Sequence, residues 1–524
     1  MKLNIQDTFN QELPADPNRN NTRRQVEGAC YSFVTPKQTA KPQLVHVAQE
    51  VAEMIGLSEE DTQSEAFLAV FSGNTVWAGT DPYAMCYGGH QFGHWAGQLG
   101  DGRAINLMEV VHQDLRWTLQ LKGAGETPYS RSADGLAVLR SSIREHLCSE
   151  AMYHLGVPTT RSLSLMLSGD QVLRDMMYDG NSAYEPGAIV CRVAPSFLRF
   201  GSFQIFAARQ DNATMQRLAD YTIKHFYPEI KLGKRESYIQ FFGAVAQRTL
   251  KMIVHWQRVG FVHGVMNTDN LSILGLTIDY GPYGWLEGYD PDWTPNTTDR
   301  QFRRYRFGQQ AEIALWNLYQ LANALYPLIE DTKPLESALE AFKENYQQAY
   351  LQMMREKLGL KEALADDNGL IAKLETNLQL TETDMTIFFR NLSNVKKKSK
   401  IDEGTEFLAP VRDAFYHPEE LEDSILDKWR EWFGFYVARL SIETVSDEER
   451  KDVMNKSNPK YVLRNYMAQL AIDAATAGDY SLVNDLHELL KKPYAEQVNQ
   501  EKWFAKRPEW ARDKVGCSML SCSS

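Results

Sequence analysis

Phe261-Val-His263-Gly-Val-Met-Asn267-Thr-Asp269-Asn270 is the stretch that decides the fold, because it places a polar loop directly after a long amphipathic segment. Between Ser237 and Val259, apolar side chains recur at steps of three and four, which predicts one helix of about six turns. Gly260 is expected to end this helix, since glycine readily adopts the left-handed conformation that closes helices. After the loop, residues 271–278 predict two short strands around a glycine, followed by Asp279-Tyr280-Gly281.

The chain before this helix is rich in predicted strands. In Arg116–Lys122, polar and apolar side chains alternate, which places Lys122 on the face opposite the apolar one. Because a β-rich part precedes a helical part, we expect an α+β protein with two lobes. A helix carrying two glutamates is predicted over 136–155. Further strands are predicted at 104–111, 162–167 and 171–178, and a helical stretch is predicted near Leu44 to Ile55.

Gly100-Asp-Gly102-Arg103, just before the first of these strands, is a weak signal by itself. The order of the elements is more specific: glycine loop, lysine strand, acidic helix, long helix, polar loop and Asp-x-Gly is the order of a protein-kinase-like catalytic domain. In such a domain the strand lysine contacts phosphate and pairs with a helix glutamate. Glu145 is the candidate partner, with Glu150 as the alternative. The sequence thus predicts a bilobed kinase-like fold with a β-rich N-lobe and a helical C-lobe.

The polar loop departs from the kinase pattern at its catalytic position. Asn270 and Asp279 are candidate ligands for Mg²⁺ or Mn²⁺, because amide and carboxylate oxygens suit these ions. When His263 and Asn270 are aligned on the kinase motif, Val265 stands where the catalytic aspartate belongs. The usual base for transfer of a γ-phosphoryl group is therefore missing, while Asp269 lies beside Asn270. Either the domain is inactive or it uses its nucleotide in another way.

Several long motifs surround these single residues. They are Tyr87-Gly-Gly-His-Gln-Phe-Gly93, Gln98-Leu-Gly-Asp-Gly-Arg103, Gln120-Leu-Lys-Gly-Ala-Gly-Glu-Thr-Pro-Tyr-Ser-Arg131, Asp134-Gly135, His263-Gly-Val-Met-Asn-Thr-Asp-Asn270, Asp279-Tyr-Gly-Pro-Tyr-Gly284 and Asn458-Pro-Lys-Tyr-Val-Leu-Arg-Asn465. In these stretches, and over nearly its whole length, the chain resembles the selenoprotein O family of protein adenylyltransferases, which have a kinase-like fold. The resemblance implies transfer of AMP from ATP to Ser, Thr or Tyr hydroxyls of proteins, with release of pyrophosphate. It also implies that ATP binds reversed relative to kinases.

The resemblance implies roles for individual residues. Asp269 would be the general base, while Asn270 and Asp279 would hold the metal ion. Family members often have Cys-Asn-His-Ser-Asp where this chain has Pro295-Asn-Thr-Thr-Asp299, so a thiol latch is not expected there, although the family is associated with redox homeostasis. Contacts with the nucleotide are implied for Gly100, Gly102, Arg103, Lys122, Asp134, Gly135, Arg192, Arg199 and Asp279.

Two other functions stay open at this stage. The chain could be an atypical kinase that moves the γ-phosphate with Asp269 as its base. It could also be a pseudokinase that binds nucleotide and acts only as a scaffold. The retained set of Lys122, Asn270 and Asp279 favours an enzyme, because a scaffold needs no complete metal site.

The composition excludes several other classes of protein. The chain has 524 residues, 43% hydrophobic and 24% charged, as is typical of globular proteins. No apolar run approaches the roughly 18 residues of a membrane helix, so no membrane association is predicted. Lys and Arg number 56 against 68 Asp and Glu, and the net charge of −12 disfavours nucleic acid as a partner. We expect a monomer with ATP and acceptor proteins as its partners.

The first residues have neither an apolar signal region nor the arginine-rich character of a transit peptide. This predicts a cytoplasmic location, or a mitochondrial one should the source be a eukaryote. Of the six cysteines, four stand singly in apolar surroundings and are predicted to be reduced and buried, while Cys517 and Cys522 have an open role. We divide the chain into an N-terminal extension (1–94), an N-lobe (95–207), a C-lobe with the metal site (208–445) and a helical C-terminal extension (446–524).

Overall fold

The computed structural model describes residues 1–517 and 519–521, and it combines a β-sheet region with a helical region. The mixed α and β architecture is therefore as the sequence predicts. The strands are β1 (Tyr31–Phe33), β2 (Gln43–Val47), β3 (Tyr83–Met85), β4 (Gly88–Gln91), β5 (His94–Gln98), β6 (Ala104–His112), β7 (Leu115–Lys122), β8 (Ala137–Val138), β9 (Arg161–Asp175), β10 (Ser182–Ala194), β11 (Phe261–Val262) and β12 (Gly284–Trp285).

The helical elements follow the same order along the chain. Helix α5 packs on strands β9 and β10, and the longest helices among the described residues are α8, α9 and α10. The helices are α1 (Thr8–Glu12), α2 (Gln49–Met54), α3 (Glu59–Thr62), α4 (Glu65–Phe71), α5 (Leu139–His154), α6 (Phe200–Ala208), α7 (Asn212–Phe226), α8 (Arg235–Val259), α9 (Gln310–Ile329), α10 (Thr332–Leu358), α11 (Asp367–Asn377), α12 (Met385–Leu392), α13 (Asp423–Leu440), α14 (Asp447–Ser457), α15 (Asn465–Thr476) and α16 (Ser481–Leu490).

Within the described residues, one large sheet runs in the order β1-β3-β6-β7-β10-β9-β2, with β8 paired to β10. In its central strands Ala104 lies opposite Lys122, and Gln120 lies opposite Arg192. Residues two apart on a strand share a face, and so do residues paired across strands. Lys122 and Arg192 therefore project from the same face of the sheet, and Arg192 reaches Asp279 in the helical region.

The strands β1 and β2 lie at opposite edges of this sheet, although few residues separate them in the chain. The connecting strap, residues 34–42, must therefore cross the whole sheet. Two backbone hydrogen bonds fasten it on the way. The N–H of Lys37 donates to the carbonyl of Ala124 at 2.8 Å, and the N–H of Lys41 donates to the carbonyl of Ser168 at 3.0 Å.

The prediction of separate strands at 162–167 and 171–178 is wrong, because both belong mainly to the single strand β9. The pattern suggested a turn at the glycine between them. Gly169 does have a positive φ of +80°, but a Cβ there would stand 2.6 Å from the backbone nitrogen of Lys41. The glycine thus makes room for the strap rather than turning the strand. The strand β10, which pairs with β9, was not predicted.

Two smaller predictions also need correction. The stretch from Leu44 to Ile55 is not one helix, because β2 occupies its first part and α2 its second. Residues 271–278 do not form two strands, since only an isolated antiparallel bridge joins Leu271 and Thr277. The β-branched and apolar residues of both stretches suit either local structure, so contacts with the rest of the fold decide between them.

The helical region is organised around α8, which the sequence predicts almost to the residue. Its buried stripe includes Phe242, Val245 and Ile253, and Gly260 ends it with a φ of +74°. One hydrophobic cluster joins the sheet to α8 and α9, and a second cluster lies around α11 to α13. In the portion of the chain that the structure describes, no helix is long and apolar enough to cross a membrane.

Candidate active site

A cleft between the sheet and the helical region contains a cavity of about 690 Å³. Its walls come from the glycine turn before β6, the end of β7, β10, the loop after β11 and the Asp-x-Gly segment. The structure brings eleven of the sequence-predicted site residues to this cavity, while the twelfth, Glu145, lies behind Lys122. The eleven are Gly100, Gly102, Arg103, Lys122, Asp134, Gly135, Arg192, Arg199, Asp269, Asn270 and Asp279.

The glycine turn packs directly on the segment 127–130. A Cβ on Gly100 would stand 2.4 Å from the ring of Tyr129, and one on Gly102 would stand 3.0 Å from the carbonyl oxygen of Tyr129. The hydroxyl of Thr127 donates to the carbonyl of Asp101 at 2.7 Å, which fixes the turn from below. Only glycine fits at position 100, where φ is +87° as well. The backbone of the turn is consequently open toward the cavity.

Charged side chains form a continuous network at the centre of the cleft. Lys122 makes an ion pair with Glu145, whose other oxygen lies 3.2 Å from Arg192. Arg192 also pairs with Asp279 at 2.7 Å, and Arg199 pairs with the second oxygen of that carboxylate. All five side chains are buried or line the cavity. Each of them also contacts a side chain of opposite charge, which holds it in place.

The second candidate partner of Lys122 has a different role. Glu150 accepts hydrogen bonds from Arg161, with the shortest N–O distance at 2.7 Å, and one from the backbone N–H of Ser162. It is therefore occupied on the far side of α5. Of the two alternatives from the sequence, the contact with Lys122 is made by Glu145.

Burial and neighbouring charges shift the pKa values of these groups in opposite directions. Burial lowers the pKa of Lys122 to about 8, although the charge of Glu145 acts against it. Burial raises the pKa of Asp279, but the positive charges of Arg199, Arg192 and Lys122 outweigh this and hold it well below its usual range. Asp279 is therefore a carboxylate at every physiological pH.

Asp269 has one carboxylate oxygen held and the other free. The side-chain amide of Gln91 donates to Oδ2 at 3.2 Å, and Oδ1 is buried with no hydrogen-bond partner in the described part of the chain. Arg199 donates to the backbone carbonyl of Asp269 at 2.7 Å, which fixes the loop. Burial raises the pKa of Asp269 to about 6. This carboxyl is thus ionised at neutral pH and has an oxygen ready to accept a proton.

The hairpin β4–β5 holds the loop that carries Asp269. The N–H of His90 donates to the hydroxyl of Thr268 at 2.7 Å, and the N–H of Phe92 donates to the side-chain oxygen of Asn267 at 3.1 Å. A Cβ on Gly89 would stand 2.7 Å from Asp269 Oδ1, so the hairpin can approach this closely only with glycine. The motif 87–93 therefore supports the loop that carries Asp269.

The donor set near Asn270 and Asp279 fits a hard divalent cation. The amide nitrogen of Asn270 donates to the carbonyl of Val265 at 2.9 Å, which leaves its amide oxygen for a ligand. Each oxygen of Asp279 accepts from one arginine and retains a further lone pair. No group of three or more His, Cys, Asp or Glu side chains suited to a metal occurs among the described residues. A small protein donor set is usual for Mg²⁺ bound together with phosphates.

The comparison with known families adds to this geometry. The sequence model described as protein adenylyltransferase SelO matches residues 18–491. The chain belongs to the SelO family.

Similar proteins agree with this assignment. The protein nucleotidyltransferase YdiU of Flavobacterium johnsoniae is 62% identical over 522 residues, covering 100% of this chain and 99% of that protein. The proteins of the same name from Rhodopirellula baltica and from Xanthomonas oryzae pv. oryzae are 53% and 52% identical, and each alignment covers 100% of this chain and at least 99% of the relative. The similarity to these relatives thus extends over the full length of the chain.

The remaining residues predicted for the site of this SelO-family chain are Asp134, Gly135 and Arg103. Asp134 pairs with Arg174 at 2.8 Å and is partly exposed. A Cβ on Gly135 would stand 2.1 Å from the carbonyl oxygen of Gly125, so two glycine-containing turns pack backbone to backbone. Arg103 lines the cavity and makes no ion pair with any described residue. Its guanidinium is consequently available to an anion.

Several residues that shape the SelO-family site were missed by reasoning from the sequence. The support of Asp269 by Gln91, and of Asn267 by Tyr305, depends on contacts between distant parts of the chain. The tail also contributes, since the N–H of Leu520 donates to the carbonyl of Pro295 at 3.0 Å. Cys517 is buried and unpaired among the described residues, whereas Cys522 lies outside them.

Proposed function

We propose that this member of the SelO family transfers AMP from ATP to Ser, Thr or Tyr hydroxyls of proteins and releases pyrophosphate. The observation that carries the proposal is a buried carboxylate oxygen of Asp269 that has no hydrogen-bond partner among the described residues, in a cleft lined by six cationic side chains. The cations suit a triphosphate, and the carboxylate suits a hydroxyl that gives up its proton. We also propose that the sheet region and the helical region are the two lobes of a kinase-like fold.

The cationic side chains would bind the phosphates and stabilise the transition state. Attack on the α-phosphorus builds negative charge on its non-bridging oxygens and on the departing pyrophosphate. Arg103 and Lys122 would contact the phosphates, and Arg192 and Arg199 would complete a positive wall. An arginine presents several donors in a planar fork that matches phosphate. Gly100 and Gly102 would let backbone N–H groups approach the nucleotide, with Asp134 and Gly135 at its far end.

Asn270 and Asp279 would hold Mg²⁺ or Mn²⁺. When bound, such an ion supplies positive charge that neutralises the phosphate oxygens and helps to orient them. Because the two oxygens of Asp279 are fixed by Arg192 and Arg199, its carboxylate needs no reorganisation to act as a ligand.

Asp269 would act as the general base. The oxygen of the acceptor hydroxyl forms a bond to the α-phosphorus, the bond from that phosphorus to the bridging oxygen breaks, and pyrophosphate leaves. The hydroxyl proton passes to Oδ1 of Asp269, while Gln91 keeps hold of Oδ2. A positioned base of this kind contributes about 10²–10⁴-fold in rate.

The main alternatives predict different products from the same ATP. A kinase would transfer the γ-phosphate, and a scaffold would transfer nothing. ATP labelled on either the α- or the γ-phosphate, incubated with the protein and a mixed protein extract, separates the three. AMP transfer is supported by label from the α-position alone. Label from the γ-position alone supports a kinase, and the absence of label from both supports a scaffold; either result would refute the proposal.

A further inference from the structure

The segment Asp299–Arg306 passes beside the catalytic loop and contains four arginines. Two buried side chains of the segment hold its backbone in place. The buried carboxylate of Asp299 accepts from the backbone N–H groups of Arg304 and Tyr305, and the hydroxyl of Tyr305 donates to Asn267 at 2.6 Å. The side chains between these anchors point outward: Arg300 and Arg303 are exposed, and Phe302 is 79% exposed. A firmly held backbone thus presents cations and an aromatic ring to solvent.

Arg304 connects this segment to the hairpin β4–β5. Its guanidinium carbon lies 4.7 Å from the ring centre of Trp316 and 3.5 Å from where a Cβ on Gly93 would stand. The rings continue from Trp316 to His90 at 5.5 Å and on to Trp95 at 5.1 Å. Two nitrogens of Arg304, Nε and Nη2, are buried and have no hydrogen-bond partner within residues 1–517 and 519–521. Its cation is therefore held by rings and forms no ion pair with a described residue, although it lies close enough to Asp299 to act against the rise that burial causes in the pKa of that carboxyl.

This surface lies next to the part of the cleft that contains Asp269, because Tyr305 contacts Asn267 of the same loop. Gln91 and Phe92 of the hairpin line the cavity, and Gln91 contacts Asp269. The hairpin that contacts Asp269 also contacts Arg304 at its tip, so a hydroxyl bound at Asp269 lies close to Arg304. The chain on either side of that hydroxyl will then lie over the segment Asp299–Arg306.

The charge of this surface contrasts with the charge of the whole chain. The net charge is −12, yet Arg300, Arg303 and Arg304 make no ion pair with any residue that the structure describes. The fourth arginine, Arg306, is paired with Asp292 at 2.9 Å. Three cations that form no ion pair among the described residues, beside an exposed phenyl ring, complement an acidic segment that includes an apolar side chain.

We propose that Arg300, Phe302, Arg303 and Arg304, here called the arginine face, dock an acidic segment of the acceptor protein. Carboxylates near the acceptor hydroxyl pair with the exposed Arg300 and Arg303, the charge of Arg304 adds to the positive potential, and an apolar side chain covers Phe302. The inference rests on the proposed function, because it assumes that proteins are the acceptors. A single exposed ion pair is weak, so several pairs together change affinity by roughly tenfold, and salt weakens them.

A binding experiment tests the arginine face without any transfer of AMP. Two fluorescein-labelled peptides share Leu-Tyr at the centre and carry either Asp and Glu or Asn and Gln on both sides. Fluorescence anisotropy is expected to give about tenfold tighter binding of the acidic peptide, and a difference that shrinks in about 0.5 M salt. The double variant Arg300→Glu/Arg303→Glu is expected to remove the difference.

The matched control is Lys396→Glu/Lys398→Glu, which changes the net charge equally at exposed positions of another loop. It is expected to bind both peptides as the wild type does. Equal binding of the two peptides to the wild type would overturn the proposal. Equal losses in the two double variants would also overturn it, because the effect would then belong to the net charge and not to the arginine face.

Transfer from α-labelled ATP to the same peptides separates this inference from the proposed function. The Arg300→Glu/Arg303→Glu variant is expected to raise KM for the acidic peptide about tenfold and to leave KM for ATP unchanged. Transfer to both peptides with equal kcat/KM would overturn the arginine face while the proposed function stands. Acid-selective binding without any labelled product would support the arginine face and count against AMP transfer.

Discussion

Two adjacent residues of helix α5 lie in different buried environments, one that contains paired charges and one that contains neutral histidines. Glu145 faces the cleft, where it contacts Lys122 and Arg192. The next residue, His146, faces a cluster of three histidines, where its ring nitrogens lie 2.7 Å from His46 and 2.6 Å from the hydroxyl of Ser162. The cleft is rich in paired charges, whereas the histidine cluster is neutral.

The histidine cluster joins three parts of the fold. His46 belongs to β2, His146 to α5 and His487 to α16, and the rings of His46 and His487 are 4.4 Å apart. Burial lowers the pKa of His46 and of His487 to about 3, and it lowers that of His146 as well. A smaller contribution comes from His487 for His46 and from Lys491 for His487. Burial alone removes charge; burial with an opposite charge preserves it.

The largest effect is expected from removing Asp279, the carboxylate of the cleft that pairs with both Arg192 and Arg199. Asp279→Ala is expected to reduce AMP transfer by about 10³-fold or more, because the metal loses a ligand and the arginines lose their anchor. Unfolding by heat, measured on the same sample, shows whether the protein is still folded. Full transfer by a folded variant at ordinary metal concentration would contradict the role given to Asp279.

The contribution of Lys122 to catalysis is expected to depend on pH. Lys122→Met is expected to lower kcat/KM for ATP by about 10–100-fold, as for other hydrogen bonds to charged groups. In the wild type, kcat/KM is expected to fall as pH rises above 8, since burial lowers the pKa of Lys122 to about 8 and the cation is lost there. Lys122→Arg keeps its charge and should not show this fall. An identical alkaline limb in wild type and Lys122→Arg would assign the titration to another group.

The histidine cluster gives the opposite dependence on pH. The folded pKa values lie below the unfolded value of about 6.5, so the unfolded chain binds more protons and stability falls as pH drops from 6.5 toward 3. Each histidine contributes about 1.4 kcal/mol per pH unit in this range. His487→Leu is expected to make the free energy of unfolding fall less steeply by that amount. Urea unfolding at pH 7.5, 6.0 and 5.0 measures it, and parallel curves for the two proteins would refute the prediction.

The smallest effect is expected at the rim of the cleft. The Asp134 side chain is 43% exposed, so its pair with Arg174 is screened by water and is worth about 0.2–1 kcal/mol. Asp134→Asn is expected to raise KM for ATP about two- to fivefold and to lower the free energy of unfolding by no more than about 1 kcal/mol. Steady-state kinetics at low and high salt measure the change. A loss as large as that of Asp279→Ala would mean that Asp134 acts at the centre of the site.

The sequence predicted most reliably what periodicity and local order express. Alternation placed Lys122 on a polar face, and helical spacing found α8 with its end at Gly260. Arg192 was named only through the family resemblance, since its strand was not predicted. The histidine cluster had no local signal, because its members come from positions 46, 146 and 487. Contacts of this kind depend on which elements meet, and a single sequence does not state that.

The strap across the sheet, residues 34–42, is barely long enough to connect the two edge strands. Six strand spacings of about 4.8 Å separate the two edges, a span of about 29 Å. The ten residue steps from Phe33 to Gln43 extend to roughly 33–36 Å at most, which leaves little slack. Removing two residues would shorten the reach to below the span, whereas added residues could bulge into solvent. The length of residues 34–42 is thus constrained more tightly than their composition, and this short tether sets how wide the sheet can be.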